Sequence, residues 1–318
     1  MKKSIKVLAL GMAVLPCALM LTACGGDKDI VNIEGDYQAV QTSSYSAITA
    51  DVDAGLDLNE VANGCKALIT IDATSTIQGL GEIELGMRNE IIAKANQNDG
   101  QLHPADLELY QKSTMDVTVT NTLTNEKAKM SNTAKQYLVD GTQYIDFSGS
   151  QALLDVYKAM NPEKDMPTRV YQVLLSGEGN PVDIPEVSLG DLLTLIPEGQ
   201  WGEDNDLQIS KSVSETGYKV KVVVKNSFVN SYVGEMFAEQ GLTINFTEDV
   251  EAYFVYENEE FAGFYLDADA EVNVTMPEEY ASIFGSTLTV DANINAQIIG
   301  YEGNISYPNF NGYVNLDA

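Results

Sequence analysis

The chain has 318 residues, with 47 acidic and 18 basic side chains and a net charge of −29 at neutral pH. A surface this acidic repels nucleic acids and anionic lipid head groups, so the composition argues against a nucleic-acid partner. One histidine and three cysteines are too few for a zinc cluster, and the chain contains no phosphate-binding loop and no dinucleotide fingerprint.

The first 23 residues have the composition of an export signal. Three lysines precede an apolar run over residues 7–21, which is too short for a membrane-spanning helix. The run closes with Leu21-Thr22-Ala23-Cys24, a tetrad that resembles the bacterial lipobox. The resemblance implies cleavage before Cys24 and diacylation of its thiol, and two acyl chains anchor a protein stably. A secreted protein with a chance cysteine at this position is the alternative.

The chain that follows the signal is still more acidic. Removal of residues 1–23 leaves 15 basic against 47 acidic side chains, a net charge of about −32. We expect residues 24–42 to form a lipidated flexible tether and residues 43–318 to form one β-rich domain, because no Pro-, Gly- or Ser-rich linker interrupts them. Cys65 remains as the only cysteine of that domain, so no intrachain disulfide can form. A small buried side chain is favoured over a reactive thiol.

Alternation of apolar and polar residues predicts a meander of strands in the first half of the domain. We expect strands over residues 45–58, 67–77, 115–123, 127–137 and 144–147. Residues 82–95 fit a strand or a short helix, and the strand is favoured. Asp140-Gly141 is typical of a tight hairpin, because glycine supplies a positive φ.

The middle of the chain changes to helical spacing. Apolar residues predict three short helices between residues 150 and 197, one of them after Pro167-Thr168, and an amphipathic helix over 227–240. Gly241 is placed to end that helix. Strands are expected again over residues 218–224 and 243–258.

Two long segments near the C terminus alternate almost without a break. Residues 262–276 and 288–298 both place apolar side chains at even positions and mostly polar side chains at odd positions. They predict a broad antiparallel sheet with one apolar face, which helices, another sheet or a bound apolar molecule must cover. Six aromatic residues flank the turn at 257–260 on both faces, so they cannot all enter one core: Tyr253, Phe254, Tyr256, Phe261, Phe264 and Tyr265.

The candidates for catalytic chemistry are weak. His103 is the only histidine, and no nucleophile motif accompanies it. Asp267, Asp269 and Glu271 share one strand face, which is typical of a solvated face, and the spacing of a calcium-binding loop is absent. We therefore expect no enzyme activity, no metal and no cofactor. A hydrolase that uses two of the many carboxylates stays open as an alternative.

The order of elements resembles the LolA/LolB-like half-barrel lipoproteins, including mycobacterial lipid carriers of the LppX type. The resemblance implies an α+β fold over residues 43–318, in which helices pack on the concave face of a large curved antiparallel sheet. It implies an extracytoplasmic protein, anchored to the membrane through Cys24, that binds or carries a lipid or another hydrophobic ligand in the trough between sheet and helices. An anchored interaction module with a filled core is the alternative. The candidate ligand-lining residues are Phe264, Leu266, Val272, Val274, Leu288, Val290, Ile294, Val233, Phe237 and Leu192.

Overall fold

The computed structural model describes residues 31–40, 64–77, 81–98, 101–121, 123–150, 154, 167–174, 182–183, 206–233, 242–258, 260–275 and 286–316. Strands account for 72% of these residues and helix for 4%. The predicted α+β fold, with helices packed on the concave face of the sheet, is therefore wrong. The described residues form one large open mixed sheet with a single short helix.

Fifteen strands of the described residues belong to this sheet. The strands are β1 (Gln38–Ala39), β2 (Cys65–Ile77), β3 (Gly81–Asn98), β4 (Gln101–Thr120), β5 (Lys127–Val139), β6 (Thr142–Gly149), β7 (Arg169–Val173), β8 (Val182–Asp183), β9 (Leu207–Val213), β10 (Gly217–Val224), β11 (Leu242–Phe246), β12 (Val250–Glu257), β13 (Glu260–Thr275), β14 (Thr287–Gly300) and β15 (Val314–Asn315). The helix, α1, spans Asn226–Val233.

The sheet joins two meanders. Its order is β1-β9-β10-β12-β13-β14-β2-β3-β4-β5-β6-β7-β15, with β11 paired to β13 and β8 paired to β4. The last long strand, β14, thus pairs with the first, β2, in an antiparallel ladder. Near the two ends of the sheet order, β9 pairs with the two-residue strand β1 and β7 pairs with the two-residue strand β15. An uncovered edge strand is a template for aggregation, so these short pairings protect both edges.

The predicted turns lie where the sequence places them. Asp140 and Gly141 have φ angles of 49° and 67°, the left-handed pair that a two-residue hairpin turn requires. Asn125 and Asn258 also have positive φ, at 57° and 53°, in the turns that precede β5 and β13. Asparagine tolerates this region better than other residues with a Cβ, so the three hairpins are specified locally.

The helical predictions fared less well. Residues 169–173, expected to be helical, form β7, which pairs with β6 and buries Val170 and Gln172. The helix predicted over 227–240 is present as α1 up to Val233, and residues 234–241 lie outside the described residues. Of the other two short helices, only Ser150 and Leu154 belong to the described residues, and the strand predicted over 45–58 lies outside them.

The sheet has one apolar face and one polar face. The cross-strand row Ala268, Ile294 and Ile71 lies on the apolar face, and the neighbouring row Asp269, Asn293 and Asp72 lies on the polar face. The centre of the apolar face is well buried and rich in alanine: Ala67, Ile69, Ala73, Ile91, Ala268, Ala270, Ala292, Ile294 and Ala296 form one core cluster. Full burial of an aliphatic side chain such as Ile91 stabilises the fold by about 1.5–3 kcal/mol.

The helix α1 covers one corner of the apolar face. Its Phe228 and Val229 pack against the two core clusters of that face. Asn230 holds it to β11 through its side-chain amide, which donates to the Phe246 carbonyl at 3.0 Å and accepts from the Phe246 amide at 2.7 Å. The amide therefore supplies the hydrogen bonds that a neighbouring strand would give to Phe246.

Two terminal segments cross the polar face in opposite directions. The N-terminal strap, residues 31–40, starts where the Val31 amide donates to Gln297 on β14, and it ends as β1 on β9. The C-terminal strap, residues 301–316, starts beside Gly64 and ends as β15 on β7. Residues 31–40 fall within the predicted tether, and Val31 is buried there against Tyr253, Val255 and Tyr265.

Candidate functional site

The two long C-terminal strands share one apolar face, as predicted. Val272 lies opposite Val290, and Val274 lies opposite Leu288. The face continues through β2 to β3, where Ala73 lies opposite Leu85, and on to Val117 of β4. Apolar side chains therefore line the same face from β13 to β5.

Part of this face is less well covered than its centre. We call this part the aliphatic strip. It consists of half-buried residues and of Met130, which is 50% exposed. Its members are Val272, Val274, Leu288, Val290, Ile83, Leu85, Met87, Met115, Val117, Val119 and Met130. By contrast, Ala67 and Ile91 in the centre are each 1% exposed. The centre of the face is filled, whereas the strip keeps accessible apolar surface.

The aliphatic strip contains no aromatic or charged side chain. Ser75 lies within it on β2, but its hydroxyl donates to the Thr289 carbonyl at 2.6 Å. A satisfied hydroxyl adds little polarity, so the strip presents flexible aliphatic and thioether groups only. Methionine adapts its shape readily to an irregular apolar partner.

The predicted lining residues divide into three groups. Val272, Val274, Leu288 and Val290 lie together in the aliphatic strip. Phe264 and Leu266 are half-buried beside the core clusters, and Ile294 belongs to the filled centre. Val233 ends α1, while Phe237 and Leu192 lie outside the described residues.

Sequence reasoning missed the seven of the eleven strip residues that come from β3, β4 and β5. These strands were predicted, but nothing in the sequence placed them beside β2 and β14. The pairing of β14 with β2 decides this arrangement, and it joins residues more than 200 positions apart. The alternation of residues 115–119 was the available signal, since it matches the alternation of 288–298.

The apolar face also carries four amide side chains. Gln111, Asn132, Gln143 and Gln172 lie on β4 to β7, and we call them the amide track. The side chain of Gln143 is 1% exposed, and those of Asn132 and Gln172 are each 4% exposed. Gln143 and Gln172 lie directly opposite each other, and Asn132 lies opposite Met115 of the strip.

Within the part of the chain that the structure describes, the amide track has buried hydrogen-bonding atoms without a partner. These atoms are Gln111 Oε1, Asn132 Nδ2, Gln143 Nε2, Gln143 Oε1 and Gln172 Oε1. Leaving a buried donor or acceptor unsatisfied costs about 1–3 kcal/mol. Sequence patterning does not predict this feature, because glutamine and asparagine on a strand normally mark its solvated face.

The polar face carries the carboxylates that the sequence placed on a solvated face. Asn293 donates to Asp267 at 3.3 Å and to Asp269 at 3.0 Å. Burial raises the pKa of Asp267, and the nearby Asp269 and Glu251 carboxylates raise it further. Among the described residues, no group of three or more His, Cys, Asp or Glu side chains is arranged to hold a metal ion.

The aromatic residues around β12 and β13 lie on both faces, as predicted. Phe254 and Tyr256 belong to the apolar face, whereas Tyr253 and Tyr265 pack under the N-terminal strap. Tyr253 donates to Glu251 at 2.5 Å, and its pKa is raised mainly by burial. Burial likewise raises the pKa of Tyr37 to about 12, so both phenols stay protonated at neutral pH. Cys65 is buried, as expected.

Comparison with known proteins identifies no family for this chain. No family model matches the chain, and no curated protein matches it. A solved structure of DynF from the dynemicin biosynthesis pathway of Micromonospora chersina is similar at 9% identity, over 74% of this chain and 79% of that chain, with a TM-score of 0.16. So low a TM-score does not support a shared fold. Within the described residues, no helix has the length and apolar character needed to cross a membrane.

Proposed function

We propose that the chain is an extracytoplasmic lipoprotein, anchored to the membrane through acylated Cys24, that binds an acyl chain along the aliphatic strip. The observation that supports binding is the strip itself, a continuous aliphatic surface that stays half-buried beside a filled centre. The anchor rests on the export signal and the Leu21-Thr22-Ala23-Cys24 tetrad. A trough roofed by helices is not part of this proposal, because the described residues contain a single short helix.

The dimensions of the strip suit an acyl chain. From β13 to β5 the sheet order contains five interstrand spacings, which span about 24 Å. A hydrocarbon chain that crosses one membrane leaflet spans about 15 Å, half of the bilayer core. A chain of this length fits along the strip with room to spare.

The energetics are also favourable. Burial of each methylene contributes about 0.8 kcal/mol, so roughly ten buried methylenes contribute about 8 kcal/mol. Ordering of the chain and of the strip side chains opposes part of this gain. Since −8.2 kcal/mol corresponds to a dissociation constant of about 1 μM, binding in the micromolar range or weaker is expected.

One observation favours the alternative, an interaction module that holds no ligand. The centre of the apolar face is buried, and its small alanine side chains leave little width for a guest there. The two functions therefore differ only in whether the strip binds an apolar molecule. A ligand-free module requires the strip to bind no apolar molecule in solution.

Displacement of an acyl-chain fluorophore tests binding. The chain from residue 24 onward, with Cys24→Ser to prevent acylation, is titrated with a fluorescent fatty acid, and native mass spectrometry counts the bound molecules. Val117→Asp places a charge in the strip and is expected to weaken binding at least tenfold. Thr118→Asp is the matched control, since it adds the same charge on the polar face of the same strand. Absence of binding, or equal binding by both variants, would support the ligand-free module.

Fractionation of producing cells tests the anchor separately. The full chain is expected in the membrane fraction and to incorporate labelled palmitate. Cys24→Ser is expected to abolish the labelling and to release the protein from the membrane. Labelling that persists in this variant would exclude Cys24 as the acylation site.

A further inference from the structure

We propose that Val31 is a releasable latch that sets the length of the membrane tether. This role rests on the proposed anchor at Cys24, because the N-terminal strap is the first described part of the chain after that residue. With the latch closed, the strap lies on the sheet and the domain stays near the membrane. With the latch open, residues 31–37 leave the sheet and lengthen the tether.

The latch is a single buried side chain in a notch of the sheet. Val31 is 3% exposed and packs against Tyr253 and Tyr265. Gly263 of β13 provides the space, because a Cβ atom at this position would lie 2.9 Å from Val31 Cγ2. Two carbon atoms cannot approach so closely without displacement of one of them. Glycine at position 263 is therefore the residue that lets the strap dock.

The strap between Val31 and β1 is held more weakly. Four of its residues are exposed: Asn32, Glu34, Gly35 and Asp36. The Val31 amide donates to Gln297 Oε1 at 3.3 Å, and the Lys219 ammonium donates to the Glu34 carbonyl at 2.6 Å. Both hydrogen bonds use side chains of the sheet, whereas β1 pairs with the backbone of β9. Release that starts at Val31 is therefore expected to stop at β1.

The surface beneath the strap can face water. Tyr37 of the strap contacts Tyr253 edge-on, with ring centroids 5.7 Å apart, but the hydrogen bonds below it join residues of the sheet to one another. Tyr253 donates to Glu251 at 2.5 Å, and Asn295 donates to the Tyr265 hydroxyl. These hydrogen bonds do not need the strap. Water can therefore replace the strap without leaving these groups unpaired.

Opening of the latch changes how far the domain can move from its anchor. Seven residue steps separate Cys24 from Val31, and a chain of this length spans at most about 25 Å. Fourteen steps separate Cys24 from Gln38, the first residue of β1, and they span at most about 50 Å. The open latch therefore doubles the tether and lets the aliphatic strip reach a partner farther from its own membrane.

Thiol labelling tests whether the latch opens on its own. In the Cys24→Ser chain, Val31→Cys places a thiol in the notch, and the buried Cys65 of β2 reports opening of the whole domain. A maleimide reagent reacts with a buried thiol when its surroundings open. We expect the thiol at position 31 to react at least about 100-fold faster than Cys65. Equal, slow reaction of both thiols would overturn the inference, since the strap would then open only when the domain unfolds.

Substitution of the notch glycine tests what holds the latch. Gly263→Ala is expected to raise the labelling rate at position 31 by about tenfold, because the added methyl group occupies the notch. Gly86→Ala is the matched control: it adds the same methyl group on the polar face of β3, at an ordinary contact distance of 3.4 Å from Asp72 Oδ1. Equal labelling rates in both variants would show that the notch does not hold the strap.

Energy transfer measures the tether in the acylated full chain. The chain is purified from membranes and reconstituted into phosphatidylcholine vesicles that contain a rhodamine lipid. The donor dye is attached through Glu302→Cys, an exposed position three residues beyond Ile299, which lies opposite Gly263. We expect Gly263→Ala to lower the transfer and Gly86→Ala to leave it unchanged.

The results separate the latch from the anchor. Equal transfer in an acylated chain and in both of its glycine variants would overturn the latch and leave the anchor in place. If the full chain carries no acyl group at Cys24, the proposed anchor fails and the tether role falls with it, whatever the labelling rate of the strap.

Discussion

Single residues on the apolar face differ in what they contribute. Ile83 and Ile91 belong to the same strand and the same face, but Ile91 is 1% exposed and Ile83 is half-buried. Ile91 lies opposite Ala67, in the filled centre, whereas Ile83 lies opposite Ser75 and Val119 in the aliphatic strip. One side chain serves the core, and the other serves the proposed binding surface.

Truncation of these two isoleucines is expected to lower stability by different amounts. Ile91→Ala should lower the free energy of unfolding by about 2–5 kcal/mol, because it leaves a cavity in a packed core. Ile83→Ala should cost only about 1 kcal/mol, since it removes a side chain that is only partly buried. Urea denaturation of both variants measures this difference.

Fluorophore binding gives the complementary readout. Ile83→Ala is expected to weaken binding of the fluorescent fatty acid severalfold, while Ile91→Ala is expected to leave it unchanged at temperatures where the variant is folded. Equal destabilisation by the two substitutions would mean that the strip is packed like the centre.

At the scale of elements, the C-terminal strap is held by aromatic rings. Tyr110, Tyr137, Tyr144 and Tyr171 are cross-strand neighbours on β4 to β7 and form a row on the polar face. Phe310 of the strap stacks on Tyr144 with ring centroids 3.8 Å apart and contacts Tyr137 edge-on at 5.6 Å. Burial raises the pKa of Tyr137 to about 12, so its phenol carries no charge at neutral pH. The strap thereby reaches β7 and covers its edge.

Removal of the Phe310 ring should loosen that edge. Phe310→Ala is expected to destabilise the protein by about 2 kcal/mol, less than a fully buried phenylalanine would, because the ring is half-buried. Hydrogen exchange should increase first in β7 and β15. Ser306→Ala, an exposed position of the same strap, is the control. Unchanged exchange in β7 would show that the edge is held without the strap.

The elements that the sequence predicted are those whose signals are local. The hairpin at Asp140-Gly141 needs a left-handed backbone. The alternation of apolar and polar residues in β13 and β14 follows from one solvent-exposed face. The strand β7 was missed because Gln172 occupies its buried side, so the alternation of Val170 and Gln172 does not appear apolar. The straps were missed because their partners are distant: Phe310 meets Tyr144, 166 residues earlier. No local pattern encodes such a contact.

The same reasoning explains the wrong fold class. Helical spacing in a short apolar run cannot be separated from a buried strand when neighbouring partners are unknown. The face that was expected to pack against helices is one continuous face, which long strands of both meanders form together through the pairing of β14 with β2. The resemblance to LolA/LolB-like lipoproteins stays a prediction; among the described residues, helical cover is limited to α1 at one corner of the apolar face.

For the whole molecule, the dominant feature is negative charge. With 18 basic against 47 acidic side chains, self-repulsion opposes the compact state at neutral pH. Asp267 adds to this cost, because burial, Asp269 and Glu251 raise its pKa above the usual value. Asp146 acts in the opposite direction: its burial is outweighed by hydrogen bonds from Ser148 and Arg169, which lower its pKa.

These shifts predict a protein that is more stable in mild acid than at neutral pH. A group with a raised pKa in the folded state binds its proton more tightly there, so its stabilising contribution is present at low pH and is lost as pH rises through the folded pKa. As the pH falls from neutral towards the usual aspartate pKa of 3.8, we therefore expect the melting temperature to rise by a few degrees. Below the usual aspartate pKa the trend should reverse, since Asp146 then loses its salt bridge with Arg169.

Asp267→Asn identifies the local part of this effect. It removes the carboxyl group whose pKa is raised and should therefore reduce the rise in melting temperature on acidification. Asp291→Asn is the matched control, because it removes one charge from an exposed position on the same face of the neighbouring strand β14. If both variants flatten the profile equally, total charge governs the pH dependence. If only Asp267→Asn does so, repulsion among the carboxylates of Glu251, Asp267 and Asp269 causes the pH dependence. These carboxylates repel one another because burial weakens solvent screening.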